Sequence, residues 1–394
     1  EDEYKEKVAL IKMLEALLQS SQMMRVEVAR ELTTIREKYA DPRRTVIISA
    51  PAGDIQAGDF LGPREDTWVT LTDSGLISRT YEDSAPRITT EMKDAPRVML
   101  GSSTTHTLYL FTPQGVTGTM PVKLLQQSED PELGTHFATL CSLTKEDEIA
   151  CALSLPPELE TGYLVAITEQ GEVKRLRLED LPGMSAHPFK FMDVEPEDRL
   201  LWVGHVLHDS EVILVTCRGQ AIRFKVSDVR PTGLGAGGMR AVKLGGRGDR
   251  VVGTGVADDR ANVWVITDTG VAKSTPVPEY PTQGRAGGGV ITMKLPKDAK
   301  GLAAATIGVP DDNIVAVTNK GKPKYMRISL APQSGRSTKG DYVISMREKE
   351  AVARVVRLEP RIEASDMAGS EMNGEDDIAP DMEDEPPFEA EDES

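Results

Sequence analysis

The sequence has few cysteines and no long apolar stretch, and each absence excludes a class of protein. Three cysteines occur among 394 residues, and none forms a Cys-x-x-Cys pair. A disulfide framework is therefore not expected, whereas reduced thiols in a cytosolic protein are. No apolar run approaches the roughly 20 residues that span a bilayer, and the acidic first residues are unlike a signal peptide. We expect a cytoplasmic protein with no membrane partner.

Positive charge is scarce in one half of the folded region and abundant in the other. An even spread of the net charge of −17 would argue against a nucleic-acid partner. Residues 45–211 carry 12 basic and 27 acidic groups, whereas residues 212–360 carry 24 basic and 13 acidic groups. The acidic bulk composition therefore conceals a basic half.

The first 39 residues have a helical pattern. Residues 4–39 contain no Pro or Gly, and apolar residues recur at three-and-four spacing. The polar run Ser20-Ser21-Gln22 predicts a turn between two helices, with Ser21 as the N-cap of the second. Asp41-Pro42 ends the pattern because proline disfavours helix in the residue before it. Because the chain begins inside a helical pattern, we expect a piece of a longer protein.

From Thr45 onward, short β-branched runs contain a repeat. An apolar strand ends in Thr-x-x-Gly six times, at Thr72/Gly75, Thr112/Gly115, Thr168/Gly171, Thr216/Gly219, Thr267/Gly270 and Thr318/Gly321. Each predicts a tight hairpin, since glycine adopts φ > 0 without steric cost. The glycines lie 40, 56, 48, 51 and 51 residues apart, the blade period of a propeller of four-stranded sheets. The repeats predict an all-β, six-bladed propeller-like fold.

A second glycine follows the hairpin glycine by 19 residues in the last three repeats. Each of these glycines closes a loop, and each is followed by a predicted apolar strand, over residues 239–244, 290–295 and 342–346. The loop glycines singled out are Gly233, Gly235, Gly238, Gly284, Gly287, Gly289, Gly335 and Gly340. The corresponding earlier positions are Asp94, Gly134 and Lys190, and Gly134 lacks a glycine-rich approach.

The excess positive charge lies in the same repeats as these loops. If it recurs around one rim, it forms a curved template on which phosphate neutralisation releases counterions and offsets the cost of bending a duplex. Glycine loops also let backbone N–H groups approach phosphates closely. The alternative is a set of ordinary solvated faces. The candidate DNA-binding residues are Arg218, Arg223, Lys225, Arg230, Arg240, Lys243, Arg247, Lys273, Arg285, Lys294, Lys320, Lys322, Lys324, Arg336 and Lys339.

Two further motifs have structural explanations. Residues 233–238 match the dinucleotide pattern Gly-x-Gly-x-x-Gly, but that pattern needs a following helix and here a strand is predicted. His205 and His208 have the wrong spacing to share one face of a strand, and no Cys or His partner is near in sequence. We therefore expect no catalytic residue, metal or cofactor in this chain.

Several short motifs together resemble one protein family. They are Glu31-Leu32 with Arg43-Arg44-Thr45-Val46-Ile47, Ser227-Asp228-Val229-Arg230, Glu279-Tyr280-Pro281-Thr282-Gln283 and Ser334-Gly335-Arg336-Ser337-Thr338-Lys339-Gly340. This combination resembles the A subunits of bacterial type IIA topoisomerases, namely gyrase and topoisomerase IV, over residues 4 to about 358. The resemblance implies a β-pinwheel, a propeller-like ring whose neighbouring blades exchange strands and which wraps double-stranded DNA around a basic perimeter.

The resemblance also implies the partners and the whole activity. The A subunit would form a homodimer within a heterotetramer with an ATPase B subunit. The bent duplex would be presented for strand passage, giving supercoiling or relaxation in a nucleoid-associated, ATP-hydrolysing enzyme. The catalytic tyrosine, ATP and Mg²⁺ would belong to parts of the enzyme outside these residues.

One departure from the family pattern concerns the first repeat. The gyrase A box, Gln-Arg-Arg-Gly-Gly-Arg/Lys-Gly, is expected near residues 83–96, where this sequence has no such motif. Residues 283–289 resemble the box in composition but occupy the fifth-blade loop. Wrapping is therefore expected to rest on blades four to six, and topoisomerase IV behaviour stays an alternative to gyrase behaviour.

The expected organisation has four parts. These are a helical coiled-coil segment (1–41), a linker with the first strand (42–66), the six-bladed DNA-wrapping domain (67–360) and a disordered acidic tail (361–394). The tail carries one basic and 14 acidic groups, and either competes with DNA for the basic rim or aids solubility. Other candidate functions are a propeller scaffold that binds proteins and, with less support, an enzyme with its site in the central channel.

Overall fold

The computed structural model describes residues 1–39 and 64–363, and the chain divides into two compact units between Phe60 and Leu61. The first unit holds helices α1 (Asp2–Gln19) and α2 (Ser21–Tyr39). Ser20, between them, has an extended backbone, and its Oγ accepts a hydrogen bond from the Met23 amide at 3.3 Å. This is an N-cap contact, in which the side chain of the residue just before the helix accepts from the amide three residues further along the chain. The N-cap of α2 is therefore Ser20, and the prediction of Ser21 was wrong by one residue.

The apolar residues of the two helices are exposed. Helix α1 buries no residue, and Ile11, Leu18, Leu32 and Ile35 are all more than half exposed. The coiled coil stays a prediction, since a partner helix would be needed to cover these side chains. Within the described residues, neither helix is long and apolar enough to cross a membrane.

The second unit is built from short strands. They are β1 (Asp66–Thr72), β2 (Leu76–Arg79), β3 (Pro96–Ser103), β4 (Thr107–Phe111), β5 (Val116–Pro121), β6 (Thr135–His136), β7 (Cys151–Leu155), β8 (Tyr163–Thr168), β9 (Glu172–Arg177), β10 (Phe189–Lys190), β11 (Leu200–Val206), β12 (Glu211–Thr216), β13 (Gln220–Lys225), β14 (Met239–Arg240), β15 (Val251–Val256), β16 (Asn262–Thr267), β17 (Val271–Pro276), β18 (Val290–Ile291), β19 (Leu302–Gly308), β20 (Asn313–Thr318), β21 (Pro323–Arg327), β22 (Asp341–Tyr342) and β23 (Val352–Glu359). Strand β1 thus lies almost wholly inside the range expected for the blades. Of the predicted linker, residues 42–63 lie outside the described residues, as do residues 364–394 of the predicted tail.

These strands form six blades around a central channel. From the channel outward, the blades are β3-β1-β2-β6, β7-β4-β5-β10, β11-β8-β9-β14, β15-β12-β13-β18, β19-β16-β17-β22 and β23-β20-β21. The first strand of each hairpin is almost entirely buried, as in β16, where all six residues are buried. Apolar side chains from adjacent blades pack between the sheets, so each blade is covered by its neighbours.

Each Thr-x-x-Gly motif forms the predicted hairpin turn. The glycine amide donates to the threonine carbonyl at 2.9–3.1 Å in all six turns, and all six glycines have φ between 70° and 88°. In five turns the threonine Oγ1 accepts the amide of the residue after the glycine, at 3.0–3.3 Å. Threonine recurs because its hydroxyl satisfies an amide that the turn would otherwise leave unpaired.

The outermost strand of a blade comes from the next repeat. For example, Val290 and Ile291 of β18 pair with Ala221 and Gln220 of β13. The chain then leaves the sheet beside the hairpin turn, where the Thr292 amide donates to the carbonyl of Gly219 at 2.9 Å. This contact recurs at four other junctions, at 2.8–3.0 Å, as Phe137 to Gly75, Phe191 to Gly115, Ala241 to Gly171 and Val343 to Gly270.

The predicted strands 239–244, 290–295 and 342–346 are therefore shorter than expected. Strands β14, β18 and β22 have two residues each, because the hairpin glycine draws the chain out of the sheet after two residue pairs. The glycine is needed for space as well as for its φ: a Cβ on Gly219 would lie 2.7 Å from the Met293 carbonyl oxygen. Among the described residues, no exchanged strand pairs with β21 of the last blade, and nothing lies within 4 Å of a Cβ at Gly321.

The ring closes by a different contact between the last and first blades. Strand β23 pairs in parallel with β3, with Leu358 opposite Met99. A salt bridge of 2.7 Å joins Arg354 to Asp73 across the same junction. Residues before β3 pack against the last blade in one apolar cluster, whose buried members are Ile88, Met92, Ala95, Met99, Val315, Val317, Val356 and Leu358.

Candidate nucleic-acid interface

Three equivalent glycine loops lie one after another along the perimeter of blades three to five. We name them loop A (residues 233–238), loop B (284–289) and loop C (335–340); each precedes the exchanged strand of one of these blades. Loop B therefore lies on blade four, and its expected place on the fifth blade was wrong by one blade, because the outer strand of a blade comes from the next repeat. The Lys243 amide donates to the Gly287 carbonyl at 2.8 Å, which joins the segment after loop A to loop B. The Lys294 amide donates to the Thr338 carbonyl at 2.9 Å, which joins the segment after loop B to loop C. The three loops therefore form one continuous outer ribbon.

Two of the loops are held from beneath by a buried lysine. Lys273, on β17, donates to the carbonyls of Gly335 and Arg336 at 2.5 and 2.7 Å and to Thr338 Oγ1 at 3.0 Å. Lys174, on β9, donates to the carbonyls of Gly233 and Ala236 at 2.6 and 3.0 Å. Burial lowers the pKa of both ammonium groups to about 8.

Lys273 therefore does not fit its predicted role as a direct DNA contact. Its side chain is fully buried, and three loop acceptors occupy its ammonium group. Lys174 was missed, although the sequence carried a signal. Each of these lysines is the third residue after its hairpin glycine, Gly270 or Gly171, so an alignment on those glycines would have found it.

Loop B is held differently. Ile222 occupies the position of the buried lysine, and the loop is joined to blade four by Arg285. The Arg285 guanidinium donates to the carbonyls of Asp228 and Arg240, both at 3.1 Å. The next residue, Ala286, has φ of 66° and stands where loop A has Gly235, with φ of 69°. Ala286 therefore has a left-handed backbone conformation, which glycine adopts more readily than alanine.

Most of the other predicted basic residues are exposed, and they lie in three places. The perimeter group lies on or beside the ribbon and comprises Arg240, Lys243, Arg285, Lys294 and Lys339, with Arg336 half-buried. The turn group lies at the hairpin turns of blades four and six and comprises Arg218, Arg247, Lys320 and Lys322. Lys225 and Arg230 are exposed beyond the other end of the blade-four hairpin.

Two predicted residues have structural partners. Arg223 is largely buried and forms salt bridges with Glu211 at 2.5 Å and Asp259 at 3.3 Å. Lys324 is half-buried, and its ammonium group donates to the Ser345 carbonyl at 3.1 Å. These contacts hold blades together and make both side chains less available to a phosphate.

A further glycine-rich segment, residues 245–248, was also missed. The buried Asp249 carboxylate accepts from the amides of Gly245 and Arg218, at 2.7 and 3.2 Å. The Arg218 guanidinium donates to the Arg247 carbonyl at 2.8 Å. The carboxylate thus ties this glycine segment to the hairpin turn and leaves the Arg247 side chain exposed.

The positions that correspond to the loop glycines in the acidic repeats behave differently. A Cβ on Gly134 would lie 2.6 Å from the Ile77 carbonyl oxygen, so this glycine is needed at its exchanged strand as Gly289 and Gly340 are at theirs. Lys190 forms an ion pair with Asp193. Asp94 accepts from the Ser74 amide at 3.0 Å at a hairpin turn. Close approach of the backbone therefore requires glycine at position 134 even without a glycine-rich loop.

The segment where the gyrase A box was expected has an apolar role. Ile88, Met92 and Ala95 lie within residues 83–96 and are buried in the ring-closing cluster. In this chain, the segment is part of the junction between the first and last blades. The other weighed motifs have structural settings: a strand follows residues 233–238, and His205 Nε2 donates to the Thr161 carbonyl at 2.9 Å.

The central channel holds a cavity of about 610 Å³ lined by the inner strands. Arg357 lines it and forms salt bridges with Asp312 at 2.7 Å and Glu359 at 2.9 Å. In the part of the chain that the structure describes, no group of three or more His, Cys, Asp or Glu could hold a metal ion. The three cysteines are free thiols, and burial raises the pKa of Cys151 to about 12.

Six hairpin blades, five of them with an exchanged outer strand, define the chain's second unit as a β-pinwheel. A family model described as "DNA gyrase C-terminal domain, beta-propeller" matches residues 162–206, 210–258, 262–305 and 312–358, which are blades three to six. The C-terminal domain of DNA topoisomerase IV is similar in structure, with a TM-score of 0.64 and 25% identity, over 76% of this chain and 94% of that domain. The DNA gyrase A C-terminal domain has the same fold, with a TM-score of 0.61 and 19% identity over 74% of this chain and 99% of that domain.

Full-length gyrase A proteins are similar in sequence. The DNA gyrase A protein of Mycobacterium tuberculosis strain H37Rv is 30% identical over 87% of this chain and 42% of its own length. That of Deinococcus deserti is 28% identical over 89% of this chain and 45% of its own length. The chain spans less than half the length of these curated relatives. It belongs to the family of gyrase and topoisomerase IV A subunits, of which it represents the C-terminal pinwheel region.

Proposed function

We propose that this chain binds and wraps double-stranded DNA around the perimeter of blades three to six. The observation that carries the proposal is the continuous ribbon of loops A, B and C. Its exposed cations alternate with glycine-containing backbone along one curved edge. A rigid duplex meets such an edge only by bending, and phosphate contacts offset the bending cost of about 1–6 kcal/mol.

The charge distribution supports the same path. Residues 212–360 carry a net charge of +11 and residues 45–211 a net charge of −15. A duplex bound to the basic perimeter would meet repulsion where the acidic blades begin. The wrap is therefore limited to one arc, and it ends where the first and second blades begin instead of encircling the ring.

Within a full enzyme, the wrapped duplex would be presented for strand passage by the rest of the A subunit. The proposed assembly is an A-subunit homodimer with two ATPase B subunits in a nucleoid-associated, ATP-hydrolysing topoisomerase. The catalytic tyrosine and the sites for ATP and Mg²⁺ would lie in those other parts. Whether the outcome is supercoiling or relaxation depends on how far the wrap extends, since the first-blade segment carries no box.

The test separates binding from wrapping. A nicked plasmid is bound by the 394-residue chain and sealed with ligase, and the topoisomers are resolved after the protein is removed. A shifted linking number supports wrapping, whereas duplex binding without a shift would refute wrapping but leave binding. If the chain does not bind a duplex even at low salt, and instead retains protein partners after nuclease treatment, the scaffold function replaces this proposal.

A further inference from the structure

Lys174 beneath loop A and Lys273 beneath loop C are buried, and among the described residues no carboxylate lies within salt-bridge distance of either ammonium group. Their ammonium groups donate hydrogen bonds only to loop carbonyls and a hydroxyl, and that of Lys174 also lies 5.7 Å from the centroid of the Phe191 ring. The charged groups that influence them are Asp193 for Lys174, and Glu279 and Arg336 for Lys273. An apolar side chain could fill either position, as Ile222 does under loop B. Burying an unpaired ammonium group costs free energy, so packing alone does not account for these lysines.

The lysines also fix which way the loop backbone faces. In loop C, the carbonyls of Gly335 and Arg336 accept from Lys273. Within the described structure, the amides of Ser337 and Lys339 have no protein acceptor, and both residues are exposed. In loop A, Gly237 corresponds to Lys339 of loop C. It is exposed, and its amide has no protein acceptor in the described structure.

Such an arrangement suits an anion. Backbone N–H groups beside a left-handed residue form a concavity that binds phosphate. In loop C the Arg336 amide already donates to the Glu279 carboxylate at 3.3 Å, which leaves the Ser337 and Lys339 amides for such a ligand. A left-handed glycine stands in each of these loops, Gly235 with φ of 69° and Gly340 with φ of 77°. Loop B has left-handed residues too, Ala286 and Gly289, so the buried lysine is what sets loops A and C apart. The buried ammonium group adds positive charge below the amides, and exposed Lys339 adds it from the side.

We propose that loops A and C are backbone phosphate-binding sites, and that Lys174 and Lys273 are positioning residues that hold their carbonyls inward and their amides outward. This inference rests on the proposed DNA binding and deepens it. It divides the perimeter into two kinds of contact: amide sites two blades apart, with a side-chain contact through loop B between them. The ligand is a phosphate diester of the DNA backbone, recognised without regard to sequence.

The test uses ¹⁵N-labelled 394-residue chain titrated with a duplex of about 30 base pairs, long enough to bend around several blades. In the unmodified chain, the amide resonances of Ser337, Lys339 and Gly288 are expected to shift. Lys273→Met keeps the length of the side chain and removes its donors. It should abolish the shifts of Ser337 and Lys339, retain that of Gly288 in loop B, and weaken duplex binding about tenfold.

Two control variants separate positioning from loss of charge or fold. Lys339→Met removes an exposed charge from the same loop and should lower the salt dependence while the Ser337 shift persists. Thr338→Val alters an exposed residue that accepts from Lys273 at 3.0 Å, so it tests loop C if Lys273→Met fails to fold. Its expected effect is a reduced Ser337 shift.

The outcomes distinguish the two proposals. If the unmodified chain does not bind the duplex, the proposed function itself is wrong. If the unmodified chain binds, but Lys273→Met and Thr338→Val keep the Ser337 and Lys339 shifts, the amide sites are wrong and DNA binding stands. If only exposed-lysine variants weaken binding, the loops act through side chains alone and the inference fails.

Discussion

Neutralising the perimeter group gives the sharpest test of where DNA binds. The variant replaces Arg240, Lys243, Lys294 and Lys339 with glutamine; all four side chains are exposed. Arg285 is left unchanged because its guanidinium donates to two backbone carbonyls of the neighbouring repeat. The substitutions should therefore change charge without disturbing the blades.

The expected magnitude follows from counterion release. Each phosphate contact contributes about 0.9 to the slope of log K against log salt, so losing four contacts should lower the slope by about 3.6. At roughly 0.1 M salt, that corresponds to a loss of three to four orders of magnitude in affinity. Fluorescence anisotropy of a labelled duplex across a potassium chloride series measures both quantities.

A matched control removes the same number of charges from the other half of the ring. It replaces Arg87, Lys93, Lys145 and Arg177, which are exposed in the first three blades, with glutamine. Its slope should change by less than about 1, the value of a single contact. Equal slopes for the two variants would show that net charge, and not the perimeter, governs binding, and would refute the proposed path.

Three further predictions concern stability and pH. Ala286→Gly should stabilise the fold by about 0.5 kcal/mol in chemical denaturation, since relief of left-handed strain outweighs the entropy of glycine; a loss of stability would contradict the assigned backbone. Met99→Ala, at a fully buried ring-closing residue, should cost about 2–5 kcal/mol, whereas Met184→Ala at an exposed methionine should cost less than about 0.5 kcal/mol. Because burial lowers the pKa of Lys174 and Lys273 to about 8, duplex affinity should fall as pH rises through 8. Unfolding free energy should instead rise, since the unfolded lysines hold more protons there; a double Lys→Met variant that keeps both trends would exclude these lysines as the cause.

Part of the candidate site could be read from the sequence, and part could not. The loops were visible because glycine recurs at a fixed distance from the hairpin, and the cations because they are concentrated in the same repeats. The roles of Arg223, Lys273 and Arg285 were not visible. The sequence does not show whether a basic side chain is exposed to solvent or bonded to a carboxylate or a carbonyl. The packing of adjacent blades determines which of these contacts it makes.

The sequence alone determined the two helices and the six hairpins. These depend on local chemistry: the spacing of apolar residues, the threonine hydroxyl and the positive φ of glycine. The tertiary structure decided which blade each outer strand joins, how the ring closes and which cations stay exposed. Those features depend on contacts between residues about 60 to 300 positions apart, such as Lys273 with loop C and Arg354 with Asp73. No local pattern encodes such contacts, because they form only when the blades are brought side by side.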